Sequence, residues 1–60
     1  MLEQGDIVIT PIGYYGECTR DLNEGDKAMS VRIVSQEGFV GIQNFPWEDL
    51  ILAYKAYENN

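Results

Sequence analysis

The sequence predicts one small, mainly β, antiparallel domain, and two stretches carry that prediction. Ile7-Val8-Ile9-Thr10 is a β-branched run too short for a helix and bounded by Pro11 and Gly13. Ala28 to Ser35 sets Met29, Val31 and Ile33 in alternation with Ser30 and Arg32, the period of a strand with one buried face. Length adds a third constraint. A chain of 60 residues has room for a single core, since only about 60% of the unfolded surface is buried at that size. Residues 1–60 are therefore read as one domain, with 5–57 as its ordered part and Met1 to Gln4 and Glu58 to Asn60 as loose ends.

In the first strand Val8 is expected to point inward, with Ile7 and Ile9 covered by a neighbouring element. Pro11-Ile12-Gly13-Tyr14-Tyr15-Gly16 reads as a loop running into a bent strand start. Glu17-Cys18-Thr19-Arg20 then alternates, placing Cys18 inside and Glu17 and Thr19 outside. Leu22 to Lys27 is a polar turn in which Asn23 or Gly25 supplies the positive φ such a turn often needs. After the strand of Met29, Val31 and Ile33, Gln36-Glu37-Gly38 is of hairpin length and Phe39 to Gln43 returns antiparallel, with Gly41 marking a bulge or tight bend. Phe39 and Phe45 are core candidates.

The segment from Asn44 to Tyr57 has two readings. In the preferred one, a 3-10 turn over Pro46 to Asp49 leads into a strand from Leu50 to Tyr54 that closes a sheet of about five strands. In the alternative, an α+β fold, Asn44 and Pro46 start a C-terminal helix with Leu50, Ala53, Tyr54 and Tyr57 as its apolar stripe.

The formal net charge is -6, and the four basic residues, Arg20, Lys27, Arg32 and Lys55, are scattered along the chain. Nucleic-acid binding rests mainly on clustered Lys and Arg, so this balance disfavours it and favours a basic protein partner. The lone Cys18 cannot form an internal disulfide, and no apolar run reaches the roughly 20 residues of a membrane span. Met1 to Asp6 has neither the basic region nor the apolar run of a signal peptide. A cytoplasmic protein without membrane association is expected.

Catalysis has little support. There is no histidine, the commonest general base, and Cys18 reads as a buried strand thiol with no basic residue but Arg20 near it in sequence and no helix start before it to lower its pKa. Glu48 and Asp49 are adjacent, so on a turn or strand their carboxylates diverge and read as turn capping. Asn23, Glu24 and Asp26 lack the spacing of a calcium loop, and Gly13-Tyr14-Tyr15-Gly16 lacks the lysine of a phosphate cradle. No enzyme activity, cofactor or metal is expected. What the core does not absorb is aromatic. Tyr14, Tyr15 and Trp47, rimmed by Glu17, Glu48 and Asp49, form the candidate binding patch, because Tyr and Trp dominate interface hot spots.

Gly5-Asp6-Ile7-Val8 at the first strand, Gly16 before the second, and a turn followed by Asp49-Leu50-Ile51-Leu52 at the end resemble the SH3-like small barrels, in particular the KOW-type modules and the small photosystem I subunit of the same fold. The resemblance spans Gly5 to Ala53 and implies a five-stranded barrel that docks in a larger assembly. The stretch that is basic in KOW modules holds Pro11, Tyr14 and Tyr15 here, which turns the implication away from RNA. Signalling SH3 domains offer an analogy in their aromatic-lined grooves for proline-rich ligands.

The function expected from the sequence is a non-catalytic docking module that presents an acidic, aromatic surface to a basic protein. Its sharper form is a small phage-type regulator whose carboxylates imitate DNA phosphates. The alternatives are a single-stranded nucleic-acid-binding barrel, with bases stacked on Tyr14, Tyr15 or Trp47, and a subunit of a homo-oligomer.

Overall fold

The computed structural model describes residues 1–34, 38 and 40–57. Five antiparallel strands form one sheet: β1 (Ile7–Ile9), β2 (Tyr15–Cys18), β3 (Ala28–Val34), β4 (Val40–Pro46) and β5 (Ile51–Tyr54), with a single 3-10 turn over Trp47–Asp49 before the last. The spatial order is β4-β3-β2-β1-β5, so β1 lies between its sequence neighbour and the final strand.

The register decides which side chains meet. Val8 lies opposite Gly16, and Gly16 opposite Ile33; Cys18 pairs with Val31, and Met29 with Phe45. These residues share the inner face and are buried, as are Leu2 and Leu22, which reach it from outside the strands. The inward setting of Cys18, Met29, Val31 and Ile33 is as their alternation predicts, and Val8 points inward as expected of the first strand. The opposite face carries Ile7, Glu17, Arg32 and Ile42 in one row across four strands, and Ile9, Tyr15 and Ile51 in the next.

The C-terminal segment is turn and strand, and the helix reading is excluded. Pro46 is still paired to Ala28 at the end of β4 with an extended ψ of 128°. The turn closes with the Leu50 N–H donating to the Trp47 carbonyl at 3.2 Å, and Leu50 returns to extended backbone. A helix there would leave one edge of β1 without its ladder; β5 satisfies it.

Several local expectations change. The sheet is not closed into a barrel by hydrogen bonds: β4 and β5 are its two edges. Gly41 sits opposite Ile33 in an unbroken ladder, and the irregularity falls instead between Ile7 and Val8 where β1 pairs with β5. There Ala53 is the extra residue, which lets Leu52 face inward with Val8 while Tyr54 faces outward with Ile7. Tyr15 belongs to β2, which ends at Cys18, because Ile9 and Val8 pair as far back as Tyr15. Leu22 is buried although polar residues surround it. The segment ahead of β1 is anchored: Leu2 is buried, its carbonyl accepts from the Leu22 N–H at 3.0 Å, and the Gln4 N–H donates to the Asp21 carboxylate at 2.9 Å. The hairpin turn at Gln36 and Glu37, and Phe39, lie outside the described residues, while the Val34–Val40 pairing establishes the antiparallel return. Gly25 has a φ of 89°, as expected of the turn in which the Asp26 N–H donates to the Asn23 carbonyl at 3.0 Å.

Gly16 is the position where the sheet admits no side chain. A Cβ there would collide with Val31 Cγ1 and stand 3.1 Å from the Arg32 carbonyl oxygen. Its absence lets β2 fold closely over β3 and bury Val8 and Val31 completely. Gly16→Ala is therefore expected to destabilise the fold by about 1–3 kcal/mol, a large part of the roughly 3–9 kcal/mol open to a chain of this length. Urea denaturation checks it as a lowered midpoint at unchanged slope.

Candidate functional site

The inner face is not completely covered. Between the 3-10 turn, the start of β5 and the β2–β3 connection lies an open groove of about 540 Å³, within the range of ligand-sized clefts. Leu2, Leu22, Leu50 and Leu52 supply its apolar lining and Trp47 one wall. Each is set by a different element. The Trp47 N–H donates to the Lys27 carbonyl at 3.1 Å, extending the β3–β4 ladder by one bond and fixing where the 3-10 turn begins. Leu52 faces inward because of the β1–β5 irregularity, and Leu2 because its backbone is tied to Leu22.

Asn23, Glu24 and Asp26 form the polar rim. The loop carrying them is braced by Arg20, whose guanidinium donates to Asp26 at 2.8 Å, to the Ala28 carbonyl at 2.8 Å and to the Asp21 carbonyl at 3.0 Å. The Asn23 N–H, donating to the Asp26 carboxylate at 2.9 Å, and then Arg20 hold that carboxyl below its ordinary pKa. Asp26 is thus held as a carboxylate at neutral pH and tied into the loop.

The structure divides the six residues proposed from sequence. Trp47 stands between the groove and a second hollow of about 430 Å³ beside Lys27, Asn44 and Phe45, and Glu48 joins it there. Asp49 is exposed on the same turn. Tyr15 and Glu17 lie on the outer face and line a shallower hollow of about 260 Å³ with Ile7 and Arg32. Tyr14 is exposed at the β1–β2 turn, its N–H donating to Thr10 Oγ1 at 3.2 Å. None of the three hollows contains both Trp47 and either tyrosine. Sequence reasoning missed Leu2, Leu22, Leu50 and Leu52 as groove residues. The signal was slight: Leu22 is a lone apolar residue inside a polar loop, and Leu2 precedes the first strand.

A second cluster joins the two ends of the chain. Asp6 has no solvent exposure, and its carboxylate accepts from the Glu3 N–H at 2.9 Å, the Lys55 ammonium at 2.8 Å and the Ala56 N–H at 2.8 Å. Lys55 also donates to the Met1 carbonyl at 2.9 Å and lies 3.3 Å from Glu3. Burial pushes the Asp6 carboxyl up, but the hydrogen bonds from Lys55, Ala56 and Glu3 outweigh it and the pKa falls below the ordinary value. The same contacts raise Lys55. Every buried side-chain polar atom among the described residues has a partner. The Asp6 cluster is thus a satisfied structural lock with no spare group for a ligand. Cys18 is also buried; burial and then the Asp6 charge push its thiol up to about 11, which makes it inert. No group of three or more acidic or cysteine side chains among the described residues is placed to hold a metal, and no helix there is long and apolar enough to cross a membrane.

Fold and groove together define a small five-stranded antiparallel β protein. Comparison with family models, curated proteins and solved structures returns no match to the chain.

The Asp6 lock predicts a specific pH profile. Its lowered pKa contributes stability that is complete above about pH 5 and lost as pH falls through the folded value; the raised Lys55 contributes stability lost only as pH rises past its ordinary 10.5. Stability is expected to be flat from about pH 5 to 8 and to decline above that, because the Cys18 thiol of the unfolded chain ionises around its ordinary 9.0 while the buried one stays protonated to about 11. Asp6→Ala should cost about 3 kcal/mol and shrink the acid limb, as read from urea midpoints between pH 3 and 9. For Cys18, labelling by a thiol reagent at pH 8 should proceed at the rate set by transient unfolding, about 10³-fold or more below a free thiol, and rise with urea.

Proposed function

We propose that this protein is a non-catalytic docking module whose apolar groove and acidic rim bind a basic protein partner. One observation carries the reading: Trp47, Leu22 and Leu52 form the open apolar groove, and Glu24 and Asp26 border it on a chain of net charge -6. An apolar anchor side chain flanked by Lys or Arg fits that chemistry, with burial of the anchor giving affinity and the carboxylates giving encounter rate and selectivity. The order of strands and the 3-10 turn before the last support an SH3-like architecture for the module, although the open sheet makes it a half-closed version. In that architecture, Trp47, Glu48 and Asp49 belong to the binding region. Tyr14, Tyr15 and Glu17 lie away from it.

The placement of the cations favours protein over single-stranded nucleic acid. Arg20 is engaged by Asp26 and Lys55 by Asp6. Arg32 lies on the outer face, and Lys27 alone stands beside Trp47. Stacking on Tyr or Trp without converging cations is a weak design for a phosphate backbone. A small phage-type regulator that imitates DNA phosphates remains the sharper form of the proposal, motivated by size and acidity.

Affinity capture from lysate at low and moderate salt tests the reading, with Trp47→Ala as the control. One basic protein retained by the wild type, released as salt rises and weakened at least tenfold by Trp47→Ala, is the expected result. Recovery of nucleic acid, or of a partner indifferent to both salt and Trp47, overturns it.

A further inference from the structure

The outer face of the sheet is the largest apolar surface that the groove does not use. Ile7, Ile9, Tyr15, Ile42, Ile51 and Tyr54 share it by register, and the two edge strands contribute three of them. Tyr15 is 59% exposed, Ile42 66%, Ile51 63% and Tyr54 66%. Tyr15 on β2 and Ile51 and Tyr54 on β5 lie around Ile7 and Ile9 of the adjoining β1, and Ile42 lies beyond Glu17 and Arg32 on β4, so apolar side chains flank a central charged pair.

We infer that this face is a two-fold self-association surface, and that its occupant is a second copy of the same chain. Charge supports that choice. Of the acidic residues described, only Glu17 is on the face. The others lie in the turn before β1, the β2–β3 connection and the 3-10 turn. Arg32 is opposite Glu17 in the β2–β3 register, and no ion pair joins them. The face is therefore neutral on a molecule of net charge -6, which makes it the surface on which two copies meet with least repulsion. It is also self-complementary. A two-fold axis passing between Glu17 and Arg32 sets Glu17 of each copy against Arg32 of the other, as an isologous contact requires. A basic partner of the kind proposed for the groove would find no matching charge here.

That axis stacks β1 to β4 of one copy on β4 to β1 of the other, with Ile42 against Ile7, and leaves Ile51 and Tyr54 of β5 at the rim. The contact is therefore at or below the roughly 1,200 Å² of stable interfaces, and a reversible dimer follows. The groove, whose Leu52 and Leu22 belong to the inner face, stays open in it.

Sedimentation equilibrium from about 5 µM to about 1 mM reads the dimer directly, since a dissociation constant in that interval matches an interface of this size. Ile42→Lys is expected to weaken the dimer at least tenfold. Glu17→Arg and Arg32→Glu are each expected to weaken it about tenfold by setting like charges together across the axis, and the double variant to restore it within about threefold. All three positions involved are on the outer face, and unchanged far-UV circular dichroism confirms that each variant is folded. A monomer at every concentration overturns the inference, whether or not the face then takes up another protein or a lipid surface. A dimer indifferent to Ile42→Lys, or one that the double charge reversal fails to restore, overturns it equally.

Discussion

The carboxylate of Asp6 ties the two ends of the chain together. Its oxygens accept hydrogen bonds from the Glu3 N–H at the start of the chain and from the Lys55 ammonium and the Ala56 N–H just beyond β5, at 2.8 to 2.9 Å. β5 is the strand with the longest loop to close, because it pairs with β1 across most of the sequence. Three paired positions, interrupted by an irregularity, are a weak hold for such a contact. The charge-assisted bonds to the buried Asp6 carboxylate add to it. With β5 in place, Leu50 and Leu52 meet Leu2 and Leu22, and the groove exists.

The groove and the outer face are consequences of the same geometry. Gly16 lets β2 lie close on β3, which curls the sheet around Val8, Met29 and Val31. A sheet of five short strands that curls without closing by hydrogen bonds leaves the space between its edges partly covered on the inside. That space is lined by Leu22, Leu52 and Trp47. Outside, the same strands present side chains that no helix or second sheet covers. Carboxylates gather in the connections, where water solvates them and turns use them. The face between them stays apolar and neutral.

Much of the fold was legible in the residues. Alternation in Met29, Val31 and Ile33 found the inner face because a strand admits only two orientations, and Pro46 with the short apolar run after it found the turn and last strand. What alternation could not find were residues acting singly. Leu22 shows no period, and Leu2 precedes every strand, yet both reach the core because the backbone bond between them closes one end of it. The candidate site was legible only in part. Trp47, Glu48 and Asp49 remain at or beside the groove, whereas Tyr15 and Glu17 point to the opposite side of the sheet, a separation that depends on strand register and not on residue type.

By itself, the sequence determined the strands, the turn before the last of them, the acidity and the lack of histidine, because these follow from local sterics, composition and spacing. Only the tertiary structure decided that β5 pairs with β1, that the sheet stops short of closure, and that Leu2 and Leu22 share a groove with Trp47. Those outcomes depend on contacts between residues tens of positions apart. They rest on burial of the apolar core, to which one buried carboxylate, the close approach allowed at Gly16 and one irregular pair of strands give its particular shape, and no local pattern records that.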